Sequence, residues 1–271
     1  MPKIELMQGD CLEKMKDIPD KSIDMILCDL PYGTTACKWD TIIPFEPLWE
    51  QYKRIIKDNG AIVLFGSEPF SSALRMSNIE NYKYDWKWLK SRTVGFLNAK
   101  NAPLKKNEDV IVFSNGKTAN NNKNRMVYFP QGLREINKIK KSVSQGNETV
   151  VGNRPSRNKD YVAKYEGYPN NILEFKNENK QVHPTQKPVA LFEYLIKTYT
   201  NEGDLVLDNC AGSGTTAIAA ENCGRKWVCI EQLEEYANKA VERILNHTPE
   251  VKPDLTIQIE NDITNKLRVF K

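Results

Sequence analysis

The chain has 271 residues, of which 40% are hydrophobic and 27% are charged. This composition is that of an ordinary globular protein with one large or two small domains, and it excludes a chain that is disordered throughout. The longest strongly apolar run, Ala61 to Phe65, is much shorter than the roughly 20 residues that a membrane span needs, so we expect no membrane partner. The start, Met1 to Glu5, lacks the apolar core of a secretory signal, which favours a cytoplasmic location.

Charge is unevenly placed along the chain. The formal net charge is +4, but residues 116–180 contain 13 Lys or Arg and 6 Asp or Glu, a net +7, which leaves −3 for the rest. The same segment contains 12 Asn and has little apolar periodicity, so we interpret it as an irregular insertion. Such a segment favours a polyanion as partner. A solvated surface loop is the plainer alternative.

Short apolar runs alternate with helical patterns, which predicts an α/β protein with a mostly parallel sheet and helices on both faces. The predicted strands, in chain order, are Ile4-Met7, Ile23-Cys28, Ala61-Phe65, Asp109-Phe113, Leu205-Leu207 and Trp227-Ile230. The predicted helices lie near Cys11-Met15, Phe45-Ile56, Ser71-Met76, Pro188-Tyr199, Thr215-Asn222 and Leu233-Leu245.

The predicted elements form two regular blocks, 1–115 and 181–247, on either side of the basic insertion 116–180. We expect the two blocks to complete one sheet, because either block alone would leave long strand edges unpaired. In the C-terminal extension 248–271, the segment Leu255 to Ile259 alternates like an edge strand.

The six cysteines do not suggest a metal site or a disulfide. They form no C-x-x-C pair and mostly lie in apolar surroundings, which predicts reduced core thiols: Cys11, Cys28, Cys37, Cys210, Cys223 and Cys229. His183 has no metal-ligand spacing around it, so we expect no metal.

A glycine-containing turn follows the predicted strand that runs into Asp208. The segment Asn209 to Ala217 matches G-x-G-x-x-A, in which Gly212 and Gly214 permit tight backbone geometry and the next helix offers free N–H groups. Glu231 ends the following strand, 17 residues past Gly214, where a ribose-binding acid is expected. The pattern therefore predicts an adenosine-bearing cofactor.

Asp208 discriminates between two such cofactors. A carboxylate at this turn would repel the pyrophosphate of NAD, but it would attract an ammonium group. S-adenosylmethionine carries an ammonium group and a positive sulfonium, so it suits an acidic site better than NAD does.

The segment Asp29-Leu30-Pro31-Tyr32 follows the second predicted strand and suggests a chemical role. The amino group of a nucleobase is a poor nucleophile, because its lone pair is delocalised into the ring. If the Asp29 carboxylate and the Leu30 carbonyl each accept one of its N–H bonds, the nitrogen becomes tetrahedral and its lone pair turns outward. Pro31 would preorganise both acceptors, and Tyr32 would offer a stacking face. A plain strand-ending turn is the alternative.

These motifs together resemble those of the amino-methylating DNA methyltransferases of bacteria and phages. Asp29-Leu30-Pro31-Tyr32 resembles their D/N/S-P-P-Y/F/W catalytic motif, with Leu30 in place of the usual proline. Asp208 to Thr216 resembles their D-P-F-x-G-S-G-T-T cofactor motif and departs from it at the second and third positions. Gln8 to Cys11 resembles the segment that contacts the cofactor's adenine, and His183 to Pro188 resembles an H-P-T-x-K-P box that helps to close the cofactor pocket.

The resemblance implies a Rossmann-like, S-adenosylmethionine-dependent sheet and a set of site residues. The catalytic residues it implies are Asp29, Leu30, Pro31 and Tyr32. The expected cofactor-binding residues are Asp10, Cys11, Lys187, Asp208, Ala211, Gly212, Gly214, Thr215 and Glu231.

The order of the motifs carries a further implication. The catalytic motif precedes the insertion and the cofactor motif follows it, which is the permuted arrangement called the beta group and implies a target-recognition region near 115–180. Aspartate at the first catalytic position, here Asp29, is commoner among the family's adenine enzymes than among its cytosine enzymes. The expected reaction is therefore N6-methylation of adenine in DNA, and double-stranded DNA is the expected substrate. The extended motif up to Trp39-Asp40 looks particularly like phage-borne solitary enzymes.

Several alternatives stay open at this point. Within the class they are cytosine N4-methylation and, more distantly, glutamine methylation. Outside it they are an NAD-linked oxidoreductase and a catalytically silent DNA-binding protein. Trp86-Lys87-Trp88 could grip nucleic acid or only pack the core, and the loop from Lys100 to Lys106 is a candidate for DNA backbone contact. A homodimer is compatible with the sequence but not indicated by it.

The two main motifs make one geometric prediction. Methyl transfer requires that the donor and the amine meet, so the strand that ends at Asp29 and the strand that ends at Asp208 must be neighbours in the sheet.

Overall fold

A computed structural model describes residues 4–35, 37, 40–119, 122–141, 160–178 and 186–247, together with the main chain of 255–258. The strands, in chain order, are β1 (Ile4–Gln8), β2 (Ile23–Cys28), β3 (Ile56–Gly66), β4 (Tyr82–Val94), β5 (Lys105–Phe113), β6 (Arg134–Lys140), β7 (Tyr161–Glu166), β8 (Ile172–Glu174), β9 (Leu205–Asp208), β10 (Lys226–Glu231) and β11 (Leu255–Gln258). The α-helices are α1 (Cys11–Lys14), α2 (Phe45–Ile55), α3 (Phe70–Ser77), α4 (Val189–Tyr199), α5 (Thr215–Asn222) and α6 (Glu234–His247).

Nine of the strands form one sheet in the order β11-β1-β10-β9-β2-β3-β5-β4-β8. The first six are parallel, β5 runs antiparallel to both β3 and β4, and β8 is parallel to β4. Both regular blocks of the sequence contribute strands, as expected, and β9 lies directly beside β2.

Alternate residues of the strands enter two separate apolar cores, because successive side chains of a strand point to opposite faces. On β2, Met25 and Leu27 pack with buried residues of α4, α5 and α6, whereas Ile26 and Cys28 pack with those of α1, α2 and α3. Ala61 and Ile62 of β3 divide in the same way. The expected placement of helices on both faces is therefore confirmed, and both faces of the central strands are dry.

All six predicted strands and all six predicted helices are present, with ends shifted by a few residues. The edge strand predicted near Leu255 is also confirmed, since the main chain of β11 pairs parallel to β1 at the end of the sheet. Sequence analysis missed β4, although its tryptophans alternate with charged residues. Trp86 and Trp88 are 3% and 1% exposed, so they pack the core rather than grip nucleic acid.

The chain divides into two compact units, the first formed by Met1–Phe129 with Asn171–Lys271 and the second by Pro130–Asn170. The predicted insertion, 116–180, has wider boundaries than the second unit. Met126 and Leu173, which fall within the predicted insertion, are buried in the core of the first unit. Their burial could not be predicted, because each is an isolated apolar residue among many Asn and Lys.

The insertion is also less irregular than expected. The second unit contains an antiparallel ribbon of β6 and β7, in which Ile139 pairs with Val162. Both of these side chains are more than half exposed. A ribbon that buries little on either face lacks the apolar alternation by which strands are recognised in sequence.

No helix among the described residues is long and apolar enough to cross a membrane. The described residues likewise contain no cluster of His, Cys, Asp and Glu that could hold a metal ion. Trp39, the segment His183 to Thr185 and most of the C-terminal extension lie outside the described residues.

Candidate active site

The two motifs meet at one edge of the sheet. Strands β2 and β9 are parallel neighbours, with Ile26 opposite Leu207, so the segments that follow them emerge side by side at the carboxyl ends of the strands. Open α/β sheets bind their ligands at this edge. A cavity of about 990 Å³ opens here, and its wall includes Asp29 and Tyr32 after β2 and Cys210 after β9. The geometric prediction made from the sequence is confirmed.

The catalytic segment, Asp29 to Tyr32, is held in place by core packing, ring stacking and a hydrogen bond. The side chain of Leu30 is 4% exposed and buried in the core that contains α2 and α3, which fixes the main chain between Asp29 and Pro31. The ring of Tyr32 stacks on Phe70 of α3, with 5.2 Å between ring centroids. Its hydroxyl donates to Oδ1 of Asp29 over 2.6 Å. The segment is therefore preorganised by packing and not only by its proline.

A buried lysine completes the surroundings of Asp29. Nζ of Lys187 donates to Oδ2 of Asp29 over 2.6 Å and lies 3.2 Å from Oε2 of Glu108 on β5. Glu108 also forms an ion pair with Lys90 of the adjacent strand β4. The four side chains form a continuous row of alternating charge, Asp29, Lys187, Glu108 and Lys90, in which Asp29 is the most exposed, at 20%.

The two carboxyl groups in this row, those of Asp29 and Glu108, have pKa values that are shifted in opposite directions. Burial raises the pKa of Asp29, and the attraction of Lys187 offsets only part of that rise. Burial also acts on Glu108, but the attraction of Lys187 and Lys90 outweighs it and lowers the pKa of Glu108. Burial would lower the pKa of Lys187, yet Asp29 and Glu108 together raise it. At neutral pH Lys187 is therefore a fixed cation, and Asp29 is the carboxyl in the row that takes a proton most readily.

Asp40 fixes the loop that follows the catalytic segment. Its carboxylate accepts backbone N–H groups from Gly33, Thr34 and Thr35 at 2.9, 2.9 and 2.7 Å. Burial acts to raise the pKa of Asp40, but these hydrogen bonds prevail and lower it. Asp40 lines the cavity, so its charge stabilises one wall of the site.

The glycine turn has the expected backbone, and its acid, Asp208, forms hydrogen bonds within the turn. Gly212 and Gly214 have φ values of +52° and +73°, in the left-handed region that favours glycine. Asp208, however, is 3% exposed and does not contribute to the described cavity wall. Its carboxylate accepts the N–H of Cys210 and the hydroxyl of Thr216, and burial raises its pKa to about 6.

Asp208 thus stabilises the turn, and its contact with the ammonium group of a cofactor stays a prediction. A residue at the strand end before a tight turn can bond the turn itself, and the sequence does not distinguish this from a ligand contact. Ala211, Gly212, Gly214 and Thr215 likewise lie within the turn and outside the described cavity wall.

Glu231 links the turn to the cavity. Its Oε2 accepts the N–H of Gly212 over 2.8 Å and its Oε1 accepts the N–H of Leu233 over 2.9 Å. Burial raises its pKa against the opposing effect of these bonds. Since Glu231 lines the cavity and each carboxylate oxygen has a second lone pair, it can still accept hydrogen bonds from a ligand diol.

The end of β1 contributes Asp10 and Cys11 to the same wall. Asp10 caps α1 through a 2.8 Å hydrogen bond from the N–H of Leu12. Cys11 and Cys210 are free thiols, as predicted, but both line the cavity, so they are not only core residues.

The departure from the family's cofactor motif at its second position has a structural explanation. Oδ1 of Asn209 accepts the hydroxyl of Tyr52 of α2 over 2.5 Å, and both residues are buried. An asparagine here ties the turn to the helix layer by a hydrogen bond.

The cavity lining is suited to S-adenosylmethionine at one end. Among the described residues, the part supplied by the ends of β1, β9 and β10 includes the carboxylates of Asp10 and Glu231 and no Lys or Arg. The cations of the lining are on strands β4 and β5 and before α4: Lys90, Arg92, Lys105 and Lys187. A positively charged cofactor fits the acidic end, which lies on the opposite side of β2 from the basic one. The volume is at the upper end of the range for small-molecule sites, so it can hold more than a cofactor alone.

The places of Glu108 and Lys90 in this site and the role of Asp40 were not predicted from the sequence, and Lys187 was predicted only in the cofactor pocket. Lys187 does line the cavity, but its ammonium group is bonded to Asp29. Glu108 lies in the polar first half of β5, from Lys105 to Asp109, so its residue type alone gave no signal that it would be largely buried.

The sheet, the glycine turn and the acidic end of the cavity are the arrangement expected of an S-adenosylmethionine-dependent methyltransferase. Residues 23–242 match the family of DNA methylases that methylate at N6 or N4. The protein belongs to this family and is a DNA methyltransferase.

Two curated relatives are bacterial type II methyltransferases. M.HpaI from Haemophilus parainfluenzae is 26% identical over 257 residues, which cover 88% of this chain and 73% of the relative. M.HinfI from Haemophilus influenzae is 28% identical over an alignment of 283 residues, gaps included. The alignment covers 92% of this chain and 69% of the relative. Among solved structures, the M1.HpyAVI–SAM complex is 25% identical with a TM-score of 0.57, covering 88% of this chain and 98% of that one.

Proposed function

We propose that the protein transfers the methyl group of S-adenosylmethionine to N6 of an adenine that is extruded from double-stranded DNA. The observation that carries this proposal is the shared cavity at the ends of β2 and β9, where Asp29 faces the same space as Asn209 and Cys210 at the start of the cofactor turn. A base inside a duplex cannot reach such a cavity, so the target must leave the stack.

The chain's contribution is to align and polarise the amino group. One Asp29 oxygen and the main-chain carbonyl of Leu30 each accept an N–H of the base, which directs the nitrogen lone pair outward. Tyr32 holds the ring by stacking. These groups are fixed by Phe70 and Lys187 before the substrate arrives, so little reorganisation is needed during reaction.

When bound, S-adenosylmethionine supplies a methyl carbon made electrophilic by its positive sulfur. Held by Glu231, Asp10 and Cys11, the cofactor would give this carbon to the amino nitrogen and would keep the electron pair of the C–S bond on sulfur. The alkylated nitrogen then loses one proton, which Asp29 accepts and passes to solvent. Asp29 suits this task because burial raises its pKa and part of its side chain is exposed.

The cofactor residues act from the other end of the cavity. Glu231 accepts hydrogen bonds from the ribose hydroxyls of the cofactor. Asp10 and Cys11 line the part of the cavity that binds its adenine. The turn from Ala211 to Thr215 supports this wall through its backbone, and the carboxylate of Asp208 holds the turn in shape.

Adenine is preferred to cytosine because the first catalytic position is aspartate. The test is to incubate the protein with labelled S-adenosylmethionine and mixed DNA, digest the product to nucleosides and identify the modified one by mass spectrometry. We expect N6-methyladenine. N4-methylcytosine would support the alternative, and no labelled nucleoside would contradict both.

The second unit is the proposed target-recognition region. Its ribbon of β6 and β7 carries the exposed cations Arg134, Lys138, Lys140 and Lys164. A two-stranded ribbon fits into the major groove, where base edges can be distinguished.

A further inference from the structure

The tip of the hairpin between β4 and β5 exposes two large apolar side chains. Phe96 is 81% exposed and Leu97 is 99% exposed, and they are neighbours in a short 3-10 helix from Phe96 to Asn98. Monomeric proteins expose contiguous apolar groups chiefly where another molecule covers them.

The tip has a defined conformation that keeps these side chains outward. Main-chain hydrogen bonds at 3.0 Å join Asn98 to Gly95 and Ala99 to Phe96, and a 2.8 Å bond joins Asn101 to Asn98. Phe96 and Leu97 therefore lie on a turn that is closed by main-chain hydrogen bonds, and the rest of the turn leaves both side chains exposed.

The topology places the tip beside the active site. Strand β5 is antiparallel to β3, so it begins at the edge where β3 ends, and β4 ends at that same edge because Val94 pairs with Lys105. This is the edge that carries Asp29. Val94 and Lys105, the two residues at the base of the tip, both line the catalytic cavity.

The charge around the tip identifies the partner. From residue 91 to residue 106 the chain has four exposed cationic residues, Arg92, Lys100, Lys105 and Lys106, and no Asp or Glu. An exposed apolar pair that is flanked along the chain by exposed cations suits duplex DNA, in which stacked bases lie between rows of phosphates.

We infer that Phe96 and Leu97 form a wedge that enters the duplex at the target base and occupies the space left when that base moves into the cavity. Extruding a base costs stacking and pairing energy. Apolar side chains can insert between base steps, so a pair at the vacated position would replace part of the lost stacking contact. The cations around the tip hold the phosphates on either side. This inference rests on the proposed extrusion of the target, and it adds the residues that assist it.

The test compares two DNA substrates that differ only at the target. Once the methylated sequence of the wild type is known, one duplex carries the target base in its normal pair and the other carries it opposite an abasic site. In the second duplex the base is already unpaired, so less help is needed to extrude it. The variant is Phe96→Ala with Leu97→Ala, and the control is Met76→Ala, which truncates a 70% exposed apolar side chain on α3.

We expect the double variant to methylate the paired duplex about tenfold or more slowly than the wild type, which corresponds to roughly 1.4 kcal/mol. On the abasic duplex we expect its rate to approach that of the wild type. The control should match the wild type on both. The melting temperature of the double variant should be unchanged, because the truncated groups are exposed.

A second variant separates the wedge from simple attraction. Lys100→Gln with Lys106→Gln should slow both duplexes equally and reduce the salt dependence of DNA binding. If the Phe96 and Leu97 double variant also slows both duplexes equally, or slows neither, the wedge is wrong. A change in its oligomeric state would instead identify the tip as a contact between copies. The nucleoside that the wild type methylates is measured separately, so a wrong choice of adenine would not be confused with a wrong wedge.

Discussion

Asp29 combines two roles that place opposite demands on one carboxyl group. As an acceptor of an N–H bond it must be ionised, and as the group that removes a proton it must be able to take one. Burial makes protonation easier, while Lys187 limits that effect by a 2.6 Å ion pair. The balance between burial and one cation thus sets the chemistry of this residue.

Replacing Asp29 by alanine removes one of the two acceptors that polarise the amino group. We expect the rate of methyl transfer to fall by about a hundredfold to a thousandfold, the range found when a preorganised polar contact to the reacting group is deleted. S-adenosylmethionine should still bind, because Glu231 and the glycine turn lie on other strands. Single-turnover methylation and calorimetric binding measure the two effects, with Asp20→Ala, a 71% exposed aspartate side chain, as the control. Substantial remaining turnover would refute the role.

Replacing Lys187 by methionine should change the pH dependence of methylation. The raised pKa of Asp29 means that its ionised form is lost as the pH falls through that pKa. Without Lys187, burial acts unopposed and the pKa rises further, so the acidic limb of the pH–rate profile should move to higher pH. Lys187→Arg, which keeps the charge, should restore most of the original profile.

The matched control for Lys187 is Lys239→Met, since Lys239 lies on the surface of α6 and pairs only with Glu235 and the ring of Tyr236 among the contacts described. If Lys187→Met lowers the rate uniformly at every pH, then Lys187 supports the fold of the site and does not position Asp29 electrostatically.

At the scale of elements, one carboxylate organises a loop that has no regular structure. Three consecutive N–H groups after the catalytic segment are satisfied by Asp40, and hydrogen bonds to a charged group contribute about 1.5–3 kcal/mol each at most. The loop is therefore kept in place by a side chain that follows it in sequence, and not by pairing with another strand.

Asp40→Asn should lower the free energy of unfolding by about 1–3 kcal/mol at neutral pH, because an amide oxygen accepts these bonds more weakly. The pKa of Asp40 is lowered in the folded protein, so its contribution is complete above the ordinary aspartate pKa of about 3.9 and is lost as the pH falls through the folded value. Urea unfolding of both proteins at pH 7 and near pH 3 measures this. The difference should shrink at the lower pH, and a constant difference would contradict the assignment. Asp58→Asn, at a 73% exposed surface aspartate, is the control.

The elements that sequence predicted correctly are those whose burial follows a simple period. Strands such as β2 and helices such as α4 are dry on the expected faces, so their apolar patterns are continuous. β4 was missed because its alternating Trp86 and Trp88 suggested a nucleic-acid contact, and β6 and β7 were missed because they are exposed on both sides. Periodicity reports burial, and it fails where a strand buries little.

The site was predicted in part for a related reason. The segments at the ends of β2 and β9 follow strands directly, so locating the strands located Asp29 and the glycine turn. Glu108 and Lys90 are connected to Asp29 by ion pairs through Lys187, and all three lie far from Asp29 in the sequence. Whether Asp208 faces a ligand or its own turn depends on a side-chain direction that residue type does not reveal.

At the scale of the whole molecule, catalysis and target choice are assigned to different units of the chain. The first unit contains every described residue of the cavity wall, and the proposed recognition region is the second, Pro130–Asn170. If this division is correct, the second unit can be removed without loss of the cofactor site.

The structure shows where to make that cut. Arg134 pairs with Glu166 across the ribbon, and a Cβ atom placed on Gly167 would lie 2.8 Å from the carbonyl oxygen of Gly132, so the two ends of the ribbon are in contact. A short glycine linker can therefore replace residues 133–166 without stretching the chain. We expect this variant to melt cooperatively and to bind S-adenosylmethionine with unchanged affinity in calorimetry. Methylation at the wild-type sequence should fall by about a thousandfold or more, the ratio that commonly separates specific from non-specific DNA binding. Retained methylation at that same sequence would show that target choice lies in the first unit, whereas loss of cofactor binding would show that the two units are not independent.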